Sequence, residues 1–193
     1  LELTSFKNVP SEVAELASMS MELLTMEYWE EFYSNPDDLK RAIIEHFEDI
    51  IKVLPWIATI DAFQHWIYEN PSHTTEERKD YWLSLREKFG HPSVDWNGFE
   101  FVTENAWHRQ LHVFEVPFYY IEYGFAQLGA LAVYKNYKND KQKAIEDYMS
   151  ALKLGYTQSI PKIYEAANIR FDFSKKNISQ LADFMTNELS QIK

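Results

Sequence analysis

The chain has no cysteine, which excludes a disulfide framework, a thiolate metal site and a cysteine nucleophile. A reducing compartment fits that absence. Glycine is scarce, at 5 of 193 residues, and strict apolar–polar alternation is rare. Both point away from β structure and toward helices. No run of 18 apolar residues occurs, and no basic segment precedes a short apolar one, so neither a spanning helix nor a secretory leader is legible. Positive charge is also in deficit, with 19 Lys and Arg against 30 Asp and Glu, a net charge of −11. Phosphate backbones are therefore poor partners, and no basic stripe offers a nucleic-acid footprint. What is present is apolar mass: 46% of residues are hydrophobic and 16% aromatic. That rules out a disordered chain and supplies a sizeable core. The first residue is Leu1 rather than methionine, inside what reads as a continuing fold, which suggests a piece of a longer protein.

Helical periodicity organises nearly the whole length. Pro10 and Ser11 open a helix expected to run to about Tyr33. Asn35-Pro36-Asp37 opens the next, with Leu39, Ile43, Phe47, Ile50, Ile51 and Leu54 on one face. Pro55 is expected to break or kink it, leaving residues 56–68 as a separate buried helix ended by Pro71. Thr74 with Glu77 forms a capping-box pattern for a helix through Phe89, which Gly90-His91-Pro92 terminates. Residues 93–101 read as a loop and 104–112 as a helix. Pro117 is expected to start a helix to about Tyr137. Further helices are expected over 141–154, ended by Gly155, over 160–168, and over 174–192, where Ile178, Leu181, Met185 and Leu189 share a stripe. With no repeat, linker or boundary legible, residues 1–193 read as a single all-α, multi-helical unit.

Two segments carry chemistry. In the first, Glu12 and Glu15 are three residues apart on one helix face, Ser18 continues that face, and Ala14 and Ala17 are small enough for another helix to approach. A carboxylate can bind Zn²⁺ at ~2.0–2.2 Å, and two histidines plus one carboxylate leave a position for water. On composition alone, Glu12, Glu15 and Glu22 on a solvated face is the commoner arrangement. In the second, His112 precedes Pro117-Phe118-Tyr119-Tyr120-Ile121-Glu122-Tyr123, followed by the small residues Gly124, Ala126, Gly129 and Ala130. Tyr119 and Tyr123 are four apart and would share a helical face, with Tyr120 about 100° away. A tyrosine hydroxyl or an imidazole can donate to the oxyanion formed when water attacks a peptide carbonyl. The plainer reading is an aromatic core helix whose hydroxyls are satisfied by neighbours.

The order Glu12-Val13-Ala14-Glu15-Leu16-Ala17-Ser18 and the run PFYYIEY both resemble segments of the oligoendopeptidase F and thimet-type zinc metallopeptidases. Leu152 to Gly155, Ile160-Pro161 and Ala166 to Phe173 resemble that family's closing segment, with Asn168 where a glycine usually stands. The resemblance covers nearly the whole chain. It implies the C-terminal part of a zincin-like helical metallopeptidase catalytic domain that hydrolyses internal bonds of short peptides. By it, Glu15 is the third zinc ligand, and Glu12 is an outer acid that steadies a ligand histidine, with Ser18 beside them. His112, Tyr119 and Tyr123 face the substrate, and Tyr120 is a weaker candidate. The family's cytoplasmic location is expected with it.

The family's HExxH motif, two histidines one helical turn apart around a general-base glutamate, is not in this sequence. None of His46, His65, His73, His91, His108 and His112 is followed by Glu. His108 and His112 have the right spacing, but Arg109 stands where the base would be, and a cation beside a metal opposes binding. One carboxylate cannot hold zinc tightly, so the isolated chain is expected to bind none and to be inactive. Its partners are then short peptides and the HExxH-bearing segment, with self-association through apolar surface left uncovered. A non-catalytic helical module that binds peptides or proteins remains the alternative.

Overall fold

The computed structural model describes residues 2–192. Every regular element among them is helical, as the scarce glycine and helical spacing predict. The chain forms two compact units, one of Leu1–Ile50 with Phe125–Lys193 and one of Ile51–Gly124. The nine α-helices among the described residues are α1 Ser11–Leu24, α2 Pro36–Glu69, α3 Thr75–Phe89, α4 Glu100–Glu104, α5 His112–Glu115, α6 Ile121–Asn139, α7 Lys141–Leu154, α8 Ile160–Ala166 and α9 Lys175–Ile192.

In the first unit α1 buries Val13, Leu16, Leu23 and Leu24. It stops at Leu24 rather than near Tyr33. The Thr25 hydroxyl donates to the Met21 carbonyl at 2.8 Å, a side-chain bond that competes with the helical ladder. A 3-10 helix over Met26–Glu31 follows. Its Glu27 carboxylate accepts from the Tyr137 hydroxyl and the Lys141 ammonium, fastening this segment to α6 and α7. The Lys141 and Tyr137 hydrogen bonds hold the Glu27 carboxyl below its ordinary range. Helix α7 matches its expected span. Asp140 caps its start by accepting from the Lys143 N–H at 3.1 Å, and Gly155, at φ +54°, ends it. Asn168 adopts φ +56°, the left-handed conformation a glycine would hold and asparagine tolerates.

The small residues of α6 do what their size allows. Ala126 and Ala130 are fully buried. A Cβ on Gly129 would lie 2.8 Å from Leu16 Cδ1 and 2.8 Å from Tyr164 Cε1. An alanine normally stabilises a helix interior by about 0.5–1 kcal/mol over glycine. Here overpacking at about 1–3 kcal/mol outweighs that gain. Gly129→Ala is expected to lower the urea midpoint by that net loss, and an unchanged or higher midpoint would show that α1 is not held this close to α6.

The second unit centres on Ile60, Phe63, Trp82, Leu85 and Trp107. Trp82 is fully buried, sits edge-on to Phe63 at 5.0 Å and to Trp56 at 5.8 Å, and donates its Nε1–H to the Thr103 carbonyl at 2.8 Å. The expected capping box forms on α3: Glu77 N–H donates to Thr74 Oγ1 at 3.2 Å and Thr74 N–H to Glu77 Oε2 at 2.7 Å.

Three further expectations are corrected. Helix α2 runs unbroken through Pro55. The lost hydrogen bond and ring clash cost about 3 kcal/mol, but burial of Phe47, Ile50, Ile57, Ile60 and Phe63 along the helix returns about 1.5–3 kcal/mol each. The expected helix over 104–112 is instead three short pieces: the end of α4, a 3-10 helix over Ala106–Arg109, and the start of α5, with Gln110 extended between the last two at φ −90°, ψ 90°. Finally, Pro117 does not open α6. Pro117 and Phe118 form a turn, Phe118 takes φ +62°, and the helix begins at Ile121.

Candidate functional site

The first unit carries the carboxylate helix. On α1, Glu12 and Glu15 are half-buried and Ser18 and Glu22 exposed. The helix is held by phenols accepted on its backbone: Tyr148 Oη donates to the Ala17 carbonyl at 2.9 Å, and Tyr164 Oη lies 3.4 Å from the Glu12 carbonyl. The Ser18 hydroxyl is 3.2 Å from Glu15 Oε2 and 3.1 Å from the Glu15 carbonyl. The expected trio of Glu12, Glu15 and Ser18 thus shares one stretch of helix, and Ser18 restricts the Glu15 carboxylate directly.

The second unit gathers the histidine and tyrosines. The His112 ring centre lies 5.8 Å from that of Tyr119, 5.0 Å from Tyr120 and 5.8 Å from Tyr123. Tyr119 and Tyr123 meet edge-on at 5.5 Å, although only Tyr123 is helical. Tyr120, which helical geometry would have turned away, is the nearest ring because the chain at 117–120 is not helical. Burial pushes the Tyr120 hydroxyl above its usual range, against the opposing effects of the nearby Trp56 indole and the charge of Arg109. The phenol therefore keeps its proton at neutral pH. Phe118 sets this turn: its ring packs on His65 at 4.9 Å and on Tyr68 at 5.0 Å.

Two residues at this site escaped the sequence reading, Gln110 and Trp56. Gln110 Oε1 accepts from Trp56 Nε1 at 3.0 Å, and Gln110 Nε2 lies 2.7 Å from His112 Nδ1. The only sequence signal was the polar Gln110 between His108 and His112, and nothing local pointed to a tryptophan 54 positions upstream. His108 and His112 fall in different short helices, consistent with treating their spacing as coincidence.

Among the described residues, no group of three His, Asp or Glu side chains could hold a metal ion. The described residues alone do not make up the three-ligand set of a catalytic zinc. Among them, no helix is long and apolar enough to cross a membrane.

The all-helical scaffold has counterparts among known peptidases. The model of peptidase family M3 matches residues 2–183, and the chain belongs to that family. It is similar to an oligoendopeptidase F homologue of Borreliella burgdorferi, 26% identical over 146 residues, which are 74% of this chain and 24% of that protein. A structure of PZ peptidase A with an inhibitor superposes at a TM-score of 0.90 with 28% identity, over 99% of this chain and 34% of that one. A structure described as an oligoendopeptidase F gives 0.86 and 28%, over 98% of this chain and 33% of that one. The chain thus spans about a quarter of the curated relative and about a third of each of these structures.

Proposed function

We propose that this chain is the C-terminal part of the catalytic domain of a zinc-dependent oligoendopeptidase that hydrolyses internal bonds of short peptides. The observation that carries the reading is the His112, Tyr119, Tyr120 and Tyr123 cluster, with rings 5.0–5.8 Å from the imidazole, in a chain of family M3. Such a cluster brings together phenols and an imidazole, groups able to donate to an oxyanion developing on a peptide carbonyl. His112 with Tyr119 and Tyr123 takes that role.

The metal is a matter for more than these residues. A catalytic zinc site uses three protein ligands. Glu15 supplies one, steadied by Ser18 at 3.2 Å, with Glu12 as an outer acid. Two histidines and the general base would come from an HExxH segment that this sequence does not contain. The chain by itself is then inactive. The exposed Leu111, Phe114 and Val116 around His112 support a further partner role for that segment as cover, with self-association as the outcome when it is missing. A cytoplasmic location is proposed with the family reading.

The test is zinc content and cleavage of a quenched fluorescent peptide, on this chain and on a version extended through HExxH. Only the extended version is expected to bind one zinc and cleave, and Glu15→Gln is expected to abolish both. An extended chain that neither binds zinc nor cleaves would overturn the reading and leave a helical binding module as the better account.

A further inference from the structure

Two hydrogen bonds in series run from Trp56 to the imidazole of His112, and their donors and acceptors can be assigned from chemistry alone. An indole N–H only donates, so at 3.0 Å it must be the oxygen of the Gln110 amide that faces Trp56. The opposite arm of that planar amide is then the NH₂, 2.7 Å from His112 Nδ1. An amide NH₂ also only donates, so Nδ1 is the acceptor and carries no proton. A neutral imidazole has one proton, which therefore sits on Nε2. Turning the amide over would set its NH₂ against the indole N–H. Turning the imidazole over would press a ring carbon against the amide nitrogen at hydrogen-bond distance. Neither alternative survives.

We propose that Gln110, held by Trp56, is the positioning residue of this site. It fixes neutral His112 in the Nε2–H tautomer, so that the imidazole presents a donor to a substrate carbonyl or oxyanion. The oxyanion part of this statement rests on the function proposed above; the tautomer does not. The relay starts from a fixed point. Trp56 packs edge-on against Trp82 at 5.8 Å, and the Arg109 and Arg86 guanidiniums lie 4.9 and 5.5 Å from its ring centre. Gln110 is in turn presented by its extended backbone between two short helices, which explains why a continuous helix over 104–112 does not form here. The amide differs in kind from the carboxylate often found behind a catalytic histidine. A carboxylate accepts from Nδ1–H and leaves Nε2 as an acceptor suited to a base. An amide donating to Nδ1 leaves Nε2 as a donor suited to stabilising negative charge.

The test reads the tautomer directly. In ¹⁵N-histidine NMR of the 193-residue chain, at a pH where the ring is neutral, His112 is assigned by its loss in His112→Ala. Its Nε2 is expected to be the protonated, pyrrole-like nitrogen and its Nδ1 the pyridine-like one. In Gln110→Glu the carboxylate can accept from both Trp56 and Nδ1–H, so the two nitrogens are expected to exchange roles. Trp56→Phe, which frees the amide to turn, is expected to give a mixture. A proton on Nδ1 in the parent, or an unchanged pattern in both variants with circular dichroism intact, overturns the proposal. In the HExxH-extended chain, His112→Ala and Gln110→Glu are each expected to lower kcat by on the order of 10²-fold with KM little changed. If His112→Ala has no effect on cleavage, the oxyanion role of His112 fails while the tautomer stands. If His112→Ala lowers kcat and Gln110→Glu does not, the positioning role fails.

Discussion

Replacing Trp82 with alanine is expected to unfold the unit that carries His112 and its tyrosines. The side chain is fully buried and packs on both Phe63 and Trp56. Its truncation costs about 3–5 kcal/mol. Loss of the Nε1–H bond to the Thr103 carbonyl adds about 0.5–1.5 kcal/mol. Whole domains are stable by only about 5–15 kcal/mol, so this single change can consume most of the margin. The loss also reaches the site, because Trp56 leans on Trp82 and Gln110 on Trp56. Urea unfolding followed by circular dichroism provides the check. A midpoint equal to the parent's would mean that Trp82 is not the centre of this core.

Removing one hydroxyl from the aromatic cluster separates the tyrosines by role. In the HExxH-extended chain, Tyr119→Phe or Tyr123→Phe is expected to lower kcat by on the order of 10²–10³ at whichever position faces the oxyanion. Tyr120→Phe is expected to do much less. The Tyr120 hydroxyl sits on a partly buried ring that packs against the core of Ile60, Phe63, Trp82, Leu85 and Trp107, so it is committed to holding the turn. Its loss would appear in stability, at about 0.5–1.5 kcal/mol, rather than in turnover. Steady-state kinetics on the three variants decides the matter. A fall in kcat confined to Tyr120→Phe would reverse the assignment.

Local chemistry made much of this fold legible in advance. The capping box at Thr74 and Glu77, the Asp140-to-Gly155 helix and the left-handed Asn168 all depend on residues within a few positions of one another. The errors arose where distant partners decide. Burial on both sides of Pro55 carries α2 through a proline that local rules treat as a break. Trp56 and His112 draw Gln110 out of a helix that periodicity alone supports. The packing of Phe118 on His65 and Tyr68 delays α6 to Ile121. The candidate site follows the same division. His112 and the tyrosines were visible as a motif, but the arrangement that makes Tyr120 the nearest ring and Gln110 the neighbour of Nδ1 depends on residues about fifty positions upstream.

Phe118 leaves one further consequence. A non-glycine residue at φ +62° costs on the order of 1–3 kcal/mol, and it persists because the ring is wedged between His65 and Tyr68. The entropy of ordering residues 117–120 is therefore lost once, as the chain folds. Under the proposed function, a substrate reaching Tyr119 would meet a wall already formed and need not spend its own binding energy to assemble one. A version of this turn relaxed by glycine at 118 would be easier to make and worse at waiting, since each encounter would have to recruit the phenol from a broader population of backbone states.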